Sequence, residues 1–372
     1  MVDIRSQYQR LKPEIDAGIA EVLDSSAFIK GPALKAFRDE LAAYLSVPYV
    51  MPCANGTDAL QIALMALKLQ PGDEVITSNF TFISTVEVLV LLGLKPVLVD
   101  VDPLTFNIDP DKLKQAITPR TRAIVPVHLF GQPADLYKIQ KIAGEHGLFI
   151  IEDNAQSLGS VYTGPDGTSA MTGTIGNIGT TSFFPTKPLA CYGDGGALFT
   201  SDPHLAEIIE MIINHGAKVK YHHEMIGVNS RLDTIQAAIL RVNLRNLDDF
   251  IERRRKAGEF YNNRLGANPS IGIPQVAGFG THVYHQYTIL LDPTIRDSVR
   301  EQLKERGIPS MVYYPVPLSI QKAFAFAGYH EGDFPVTEHL CKSVLSLPIH
   351  TEMDEEQLDT ICSTLLNIIN NE

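Results

Sequence analysis

Apolar positions at the start of the chain recur at helical spacing, over Tyr8 to Leu23 and again from about Ala33 to Leu45. This spacing predicts two helices, the second opened by Gly31-Pro32, with Ser25 to Gly31 as an exposed connection. From about residue 47 the pattern changes to short apolar runs bounded by turn residues. These are Asp73 to Thr77, Lys95 to Asp100, Arg122 to Val127 and Leu148 to Glu152. Amphipathic stretches, Asp58 to Leu69 and Ala134 to His146, accompany them. Near-continuous apolar strands separated by helices indicate a mostly parallel sheet covered on both faces, an α/β fold.

A long helical pattern follows from about Asp233 to Leu265, dense in charges from Arg245 onward, and reads as a connector. After the turn-rich segment Gly266 to Gly280 come a strand (Val283 to Leu291), a helix (Thr294 to Arg306), a strand (Ser310 to Tyr314) and a last helix (Asp354 to Ile369). The expected organisation is an N-terminal pair of helices with a large α/β domain over 1–250, then a small C-terminal α/β domain over 251–372.

Composition narrows the function. The 372 residues are 45% hydrophobic and 20% charged, too apolar for disorder and long enough to bury a sizeable core. Lys+Arg 31 against Asp+Glu 43 gives −12, which argues against a basic surface for nucleic acid or acidic lipid. The apolar stretch Val88 to Leu94 stops at Lys95, short of the roughly 20 residues that a spanning helix needs. Asp3 and Arg5 stand where a signal peptide needs an apolar run, so a cytoplasmic location is expected. Cys53, Cys191, Cys341 and Cys362 are scattered and fit isolated reduced thiols better than disulfides or a zinc site.

Neither GxGxxG after the first strand nor GxxxxGK[ST] occurs. Three other segments carry chemistry. In Cys53-Ala54-Asn55-Gly56-Thr57-Asp58 a strand ends, Gly56 permits close backbone approach, and a helix begins with its N–H groups free, a site suited to a phosphate. The same residues also suit an ordinary N-cap. In Ile150-Ile151-Glu152-Asp153-Asn154-Ala155-Gln156 two carboxylates follow an apolar strand, for a ring nitrogen or for helix capping. In Thr181-Ser182-Phe183-Phe184-Pro185-Thr186-Lys187-Pro188, followed by Gly193 to Ala197, Lys187 is the only lysine between Lys141 and Lys218. A lysine desolvated there is a nucleophile for carbonyls; a lysine at a loop tip is the plainer alternative. One cofactor, pyridoxal 5′-phosphate, requires all three features: a lysine for its aldehyde, an acid for its ring nitrogen and a helix N-terminus for its phosphate.

With these residues in place the chain resembles the DegT/DnrJ/EryC1/StrS sugar aminotransferases, fold-type I (aspartate aminotransferase-like) pyridoxal phosphate enzymes. The resemblance runs from Gly31-Pro32 through Val127-His128-Leu129-Phe130-Gly131 to Leu345-Ser346-Leu347-Pro348. It implies that Lys187 carries the cofactor, Asp153 meets the pyridine nitrogen and Gln156 the ring hydroxyl. It further implies that Gly56, Thr57 and Ser182 hold the phosphate and that Phe82 stacks on the ring. Asn229, in Gly227 to Asp233, matches a segment that reaches the neighbouring subunit's phosphate, implying a homodimer with shared sites. Arg231, His223, Tyr313 and Tyr314 are the substrate candidates. His222 and His223, near Lys218, Lys220 and Arg231, read as a basic rim for a diphosphate or equally as a solvated patch.

Two features depart from the family pattern. Val312-Tyr313-Tyr314-Pro315 stands where many relatives have Val-His-Tyr-Pro, and Val161 to Ile178 is longer and richer in Gly, Thr and Ser. The activity implied is transfer of an amino group, from glutamate, to a nucleotide-linked ketosugar, with the cofactor passing through its pyridoxamine form. The similarity points to UDP-linked 2-acetamido-3-keto-hexuronic acids, giving 3-amino sugars for surface polysaccharide such as O-antigen. The alternative substrate is a 3-keto- or 4-keto-6-deoxyhexose on dTDP, UDP or GDP. A sugar dehydratase of this fold carries histidine in place of Lys187, and a non-catalytic sensor would carry an added DNA-binding segment.

Overall fold

The computed structural model describes residues 1–371. Two N-terminal helices, Ile4–Ser25 and Pro32–Leu45, precede the sheet. Asp3 caps the first by accepting from the Ser6 N–H at 2.9 Å, and Pro32 opens the second, where the missing N–H costs nothing. Both pack on the later helix Thr234–Arg245.

Seven strands form the main sheet, in the order Tyr49–Cys53, Gly196–Thr200, Ile178–Ser182, Phe149–Asp153, Thr121–Val125, Glu74–Ser78, Lys95–Val99. Only Gly196–Thr200 runs against the others. Strand alternation sends Val75, Ala123 and Ile151 to one face, beneath helices Gly56–Ala66 and Pro203–Ile212. Ile76, Ile124 and Ile150 go to the other, beneath Leu136–His146. The sheet is therefore buried on both sides, and the carboxyl ends of its parallel strands converge on one edge.

A separate apolar cluster gathers residues after 256. Tyr261, Tyr287, Leu345, Leu347, Cys362 and Leu365 bring together helices Leu247–Leu265 and Glu355–Ile369 and the antiparallel strands Tyr287–Leu290 and Val344–Leu347.

The structure corrects two readings of the sequence, the long helix and the strand after residue 309, and adds two features that the sequence pattern did not mark. The helix expected over 233–265 is broken at Asn246 (φ −104, ψ 2), whose side-chain amide donates to the Val242 carbonyl at 2.9 Å. Ser310 to Tyr314 is not a strand, and only Met311 bridges, to Ser346. Ile178–Ser182 and Gly196–Thr200, rich in Gly and Thr, are central strands. The segment from Val161 contains a hairpin, Val161–Thr163 with Ser169–Met171, bound to the 279–281 segment through Thr163 N–H to Phe279 and Thr281 N–H to Val161. Among the described residues no helix is long and apolar enough to cross a membrane. The four cysteines are buried and unpaired.

Candidate active site

A cleft of about 650 Å³ opens at the carboxyl ends of the parallel strands. Gly56, Thr57, Phe82, Asp153, Gln156, Ser182, Lys187, Tyr313 and Tyr314 all border it.

On one side the strand Tyr49–Cys53 gives way to helix Gly56–Ala66, with Asn55 as its cap, accepting from the Asp58 N–H at 2.8 Å. A methyl group on Gly56 would lie 2.7 Å from the Ser182 Cβ. Glycine therefore lets the helix N-terminus and the Ser182 hydroxyl stand side by side, and together their donors form a cup for an anion.

Asp153 ends the strand Phe149–Asp153. The Thr85 hydroxyl donates to its Oδ2 at 2.9 Å and the Ala155 N–H to its Oδ1 at 3.2 Å. Its neighbour Glu152 points to the opposite side, as strand alternation requires. There Glu152 is fully buried, accepts from His128 at 2.8 Å and from the N–H groups of Gly173 (2.6 Å), Ile175 (2.7 Å) and Gly176 (2.5 Å). Of the two carboxylates in the motif, one is structural and one faces the cleft.

Lys187 is partly buried beneath the cleft. Burial pushes its ammonium down to about 8, against the opposing attraction of Asp153. Gln156 has its amide orientation set by the protein. Its Oε1 accepts from the Phe130 N–H at 2.9 Å and its Nε2 donates to the Tyr314 hydroxyl at 3.2 Å, leaving one Nε2 hydrogen free. Tyr314 packs edge-on against Phe80, 5.9 Å between ring centres, and burial raises its phenol above the usual value. Phe82 is 53% exposed at the mouth, 6.4 Å from the Tyr314 ring.

Sequence reasoning missed His285, placed inside a strand pattern with nothing to mark it. The structure sets it on the cleft floor, buried, with Nδ1 unpartnered among the described residues. Burial, then the nearby Lys187 charge, holds its imidazole neutral, well below the ordinary range. The Thr81 hydroxyl, also bordering the cleft, is likewise buried without a partner.

Three candidates lie elsewhere. Asn229 is exposed and pairs through its backbone with Asn214. Arg231 borders a second cavity of about 330 Å³ with Lys30, Lys35 and Arg38. His223 is exposed on a short hairpin, its Nδ1 2.8 Å from the His215 carbonyl oxygen. None of the three borders the cleft of its own chain.

Residues 9–366 match the DegT/DnrJ/EryC1/StrS aminotransferase family. The chain belongs to this family.

The aminotransferase is 46% identical over 366 residues to the UDP-2-acetamido-2-deoxy-3-oxo-D-glucuronate aminotransferase of Pseudomonas aeruginosa, covering 98% of this chain and 99% of that one. It is 47% identical over 359 residues to a pleiotropic regulatory protein of Geobacillus stearothermophilus, covering 96% and 95%. The crystal structure of S. venezuelae DesV in complex with a ketimine intermediate superposes with a TM-score of 0.94 at 40% identity, covering 98% and 97%. The protein is thus a pyridoxal phosphate-dependent sugar aminotransferase of fold-type I, acting on a nucleotide-linked ketosugar.

The cleft of the aminotransferase fits that cofactor. The glycine-lined cup at Gly56 and Ser182 suits a phosphate, Asp153 a protonated ring nitrogen, and Lys187 an aldehyde. The two unpartnered polar groups, on Thr81 and His285, border the same space.

Proposed function

We propose that the aminotransferase moves an amino group from glutamate to a UDP-linked 2-acetamido-3-keto-hexuronic acid, yielding a 3-amino sugar for surface polysaccharide. The observation that carries this reading is the 46% identity, over nearly the full length of both chains, to the Pseudomonas aeruginosa enzyme for a UDP-linked 3-oxo-glucuronate.

In this reading each side chain of the cleft has one task. Gly56 and Thr57 N–H groups and the Ser182 hydroxyl donate to the phosphate, Asp153 accepts from the ring nitrogen, and the free Nε2 hydrogen of Gln156 meets the ring hydroxyl. Phe82 covers the ring face and excludes water from it. When bound, pyridoxal phosphate supplies an aldehyde that condenses with amines and a ring that draws electrons from the adjoining carbon. Lys187 Nζ takes the proton from the α-carbon of the donor and, in the second half of the cycle, returns one to the sugar carbon that gains the amine. A base held near 8 carries a useful neutral fraction at mildly alkaline pH and still releases protons readily. Tyr313 and Tyr314 stand where the sugar enters.

The working unit in this reading is a homodimer. Asn229 reaches the phosphate bound by the partner, and Arg231 and His223 add to the entrance for the sugar diphosphate. Tyr221 and Ile226, in the same segment, are 80% and 87% exposed in the single chain, and large apolar side chains so bare favour cover by another surface.

The test is turnover of glutamate with a panel of nucleotide ketosugars, read by mass spectrometry. The UDP-linked 3-keto-hexuronate should gain one amine fastest. Preference for a 3-keto- or 4-keto-6-deoxyhexose on dTDP, UDP or GDP overturns the assignment.

A further inference from the structure

Thr85 occupies the first turn of helix Ser84–Leu91, a place where a threonine hydroxyl usually bonds to its own helix. Here it does not. The helix lacks any side-chain cap, and the hydroxyl crosses to the neighbouring strand to donate to Asp153 Oδ2 at 2.9 Å. Both groups are buried, Thr85 at 1% and Asp153 at 5% exposure, so water does not compete for this bond. Thr85 does not border the cleft, whereas Asp153 does.

On the other carboxylate oxygen the Ala155 N–H donates at 3.2 Å, a longer bond from a backbone group that follows the strand end. A carboxylate held only there keeps freedom to rotate about its Cβ–Cγ bond. The second, shorter bond removes that freedom. Because both contacts come from donors, each oxygen retains a lone pair for a further donor presented from the cleft.

We infer that Thr85 is a positioning residue for the reaction: its hydroxyl aims the Asp153 carboxylate at the ring nitrogen of the cofactor. This rests on the reading of Asp153 as the partner of that nitrogen. The role is geometric, since a carboxylate stabilises a protonated ring fully only when an oxygen lies in line with the N–H. Thr85→Val preserves the shape of the side chain and removes the donor, and Thr85→Ser preserves the donor.

The experiment loads each variant with ring-¹⁵N pyridoxal phosphate and records the nitrogen resonance, alongside kcat and KM for glutamate. Thr85→Val should move the resonance toward the unprotonated ring and lower kcat about tenfold with KM within about twofold. Thr85→Ser should return both toward the wild-type values. An unchanged resonance and kcat in a cooperatively folded Thr85→Val overturns the proposal, and Thr85→Ala gives the same comparison if the valine variant does not fold. Asp153→Asn is measured in parallel. If it leaves the resonance unmoved, the reading of Asp153 itself fails. If it moves the resonance and Thr85→Val does not, only the role of Thr85 fails.

Discussion

Glu152 and His128 meet at 2.8 Å with neither side chain reached by solvent, while Asp153, one residue further along the strand, faces the cleft. The His128 Nδ1 accepts from the Ala134 N–H at 3.1 Å, so the proton lies on Nε2 and points at Glu152. Glu152 is thus saturated by donors. Glu152→Gln turns an acceptor into a donor against the N–H groups of Gly173, Ile175 or Gly176. Leaving such groups unpaired costs about 3 kcal/mol or more.

The two carboxylates should therefore respond in opposite ways. Glu152→Gln should lower the melting temperature steeply. Asp153→Asn should melt near the wild type while kcat falls by orders of magnitude, because an amide cannot balance a ring charge. Urea melts and steady-state kinetics on both variants check this, and a Glu152→Gln protein of normal stability would contradict the structural assignment.

Lys187 makes the stability of the cofactor-free protein depend on pH. Its value in the fold, about 8, lies below the ordinary 10.5. Between these values the unfolded chain binds a proton that the fold does not, so stability rises with pH across that window. Below pH 8 both states are protonated and the full penalty applies. The difference corresponds to roughly 3 kcal/mol, reduced to about 1–3 kcal/mol because the side chain is partly open to the cleft. Lys187→Met should accordingly stabilise the cofactor-free protein by that amount at pH 7, with the gain fading toward pH 10.5. Equal urea midpoints at pH 7 would count against a desolvated lysine. In the wild type, the rate at which cofactor-free protein captures pyridoxal phosphate should rise with pH around a midpoint near 8.

Gly56 is a test of the phosphate cup. The added methyl of Gly56→Ala lies 2.7 Å from the Ser182 Cβ, so one of the two walls must shift. Since this contact sits at a strand end and not in a core cluster, the protein should fold. Cofactor affinity, read by absorbance titration, should drop about tenfold or more, the loss of one to two charge-assisted hydrogen bonds. Affinity within twofold of wild type would remove the helix N-terminus from the cup.

Much of this arrangement was legible in the chain. The strand Phe149–Asp153 opens with three consecutive apolar residues, Phe149, Ile150 and Ile151, and so reads as an apolar run ending in carboxylates. Ile178–Ser182 and Gly196–Thr200 escaped notice because their glycines serve contacts invisible in sequence. A side chain on Gly179 would lie 1.9 Å from the Gly173 carbonyl oxygen, and one on Gly196 2.5 Å from that of Asn55. Close approach replaced the hydrophobic signal. Within the cleft, Lys187, Asp153 and Gly56 stood out because each sits at the end of a strand or shortly after one. His285 and Thr85 did not, since their importance lies in what a distant strand or turn presents to them. The break at Asn246 was hidden for a related reason: the helical spacing continues on both sides of it.

The dimer proposal can be tested by complementation. A dianionic phosphate requires several donors, and one helix N-terminus with one serine supplies only some of them. Asn229 borders no part of the cleft in its own chain and is exposed at the surface, where a second copy can receive it. Asn229→Asp places a carboxylate beside the phosphate and should abolish turnover by repulsion, and Lys187→Ala should abolish it by removing the base. Mixed after dissociation and reassociation, the two inactive chains form heterodimers. In half of the sites of such a heterodimer an intact Lys187 meets an intact Asn229 from the partner. Those sites should work, so a statistical mixture should recover about a quarter of wild-type activity, as random pairing makes half of all dimers mixed. Native mass spectrometry of the mixture reports how many heterodimers have formed. If they form in that proportion and no activity returns, Asn229 acts within its own chain and the sites are not shared.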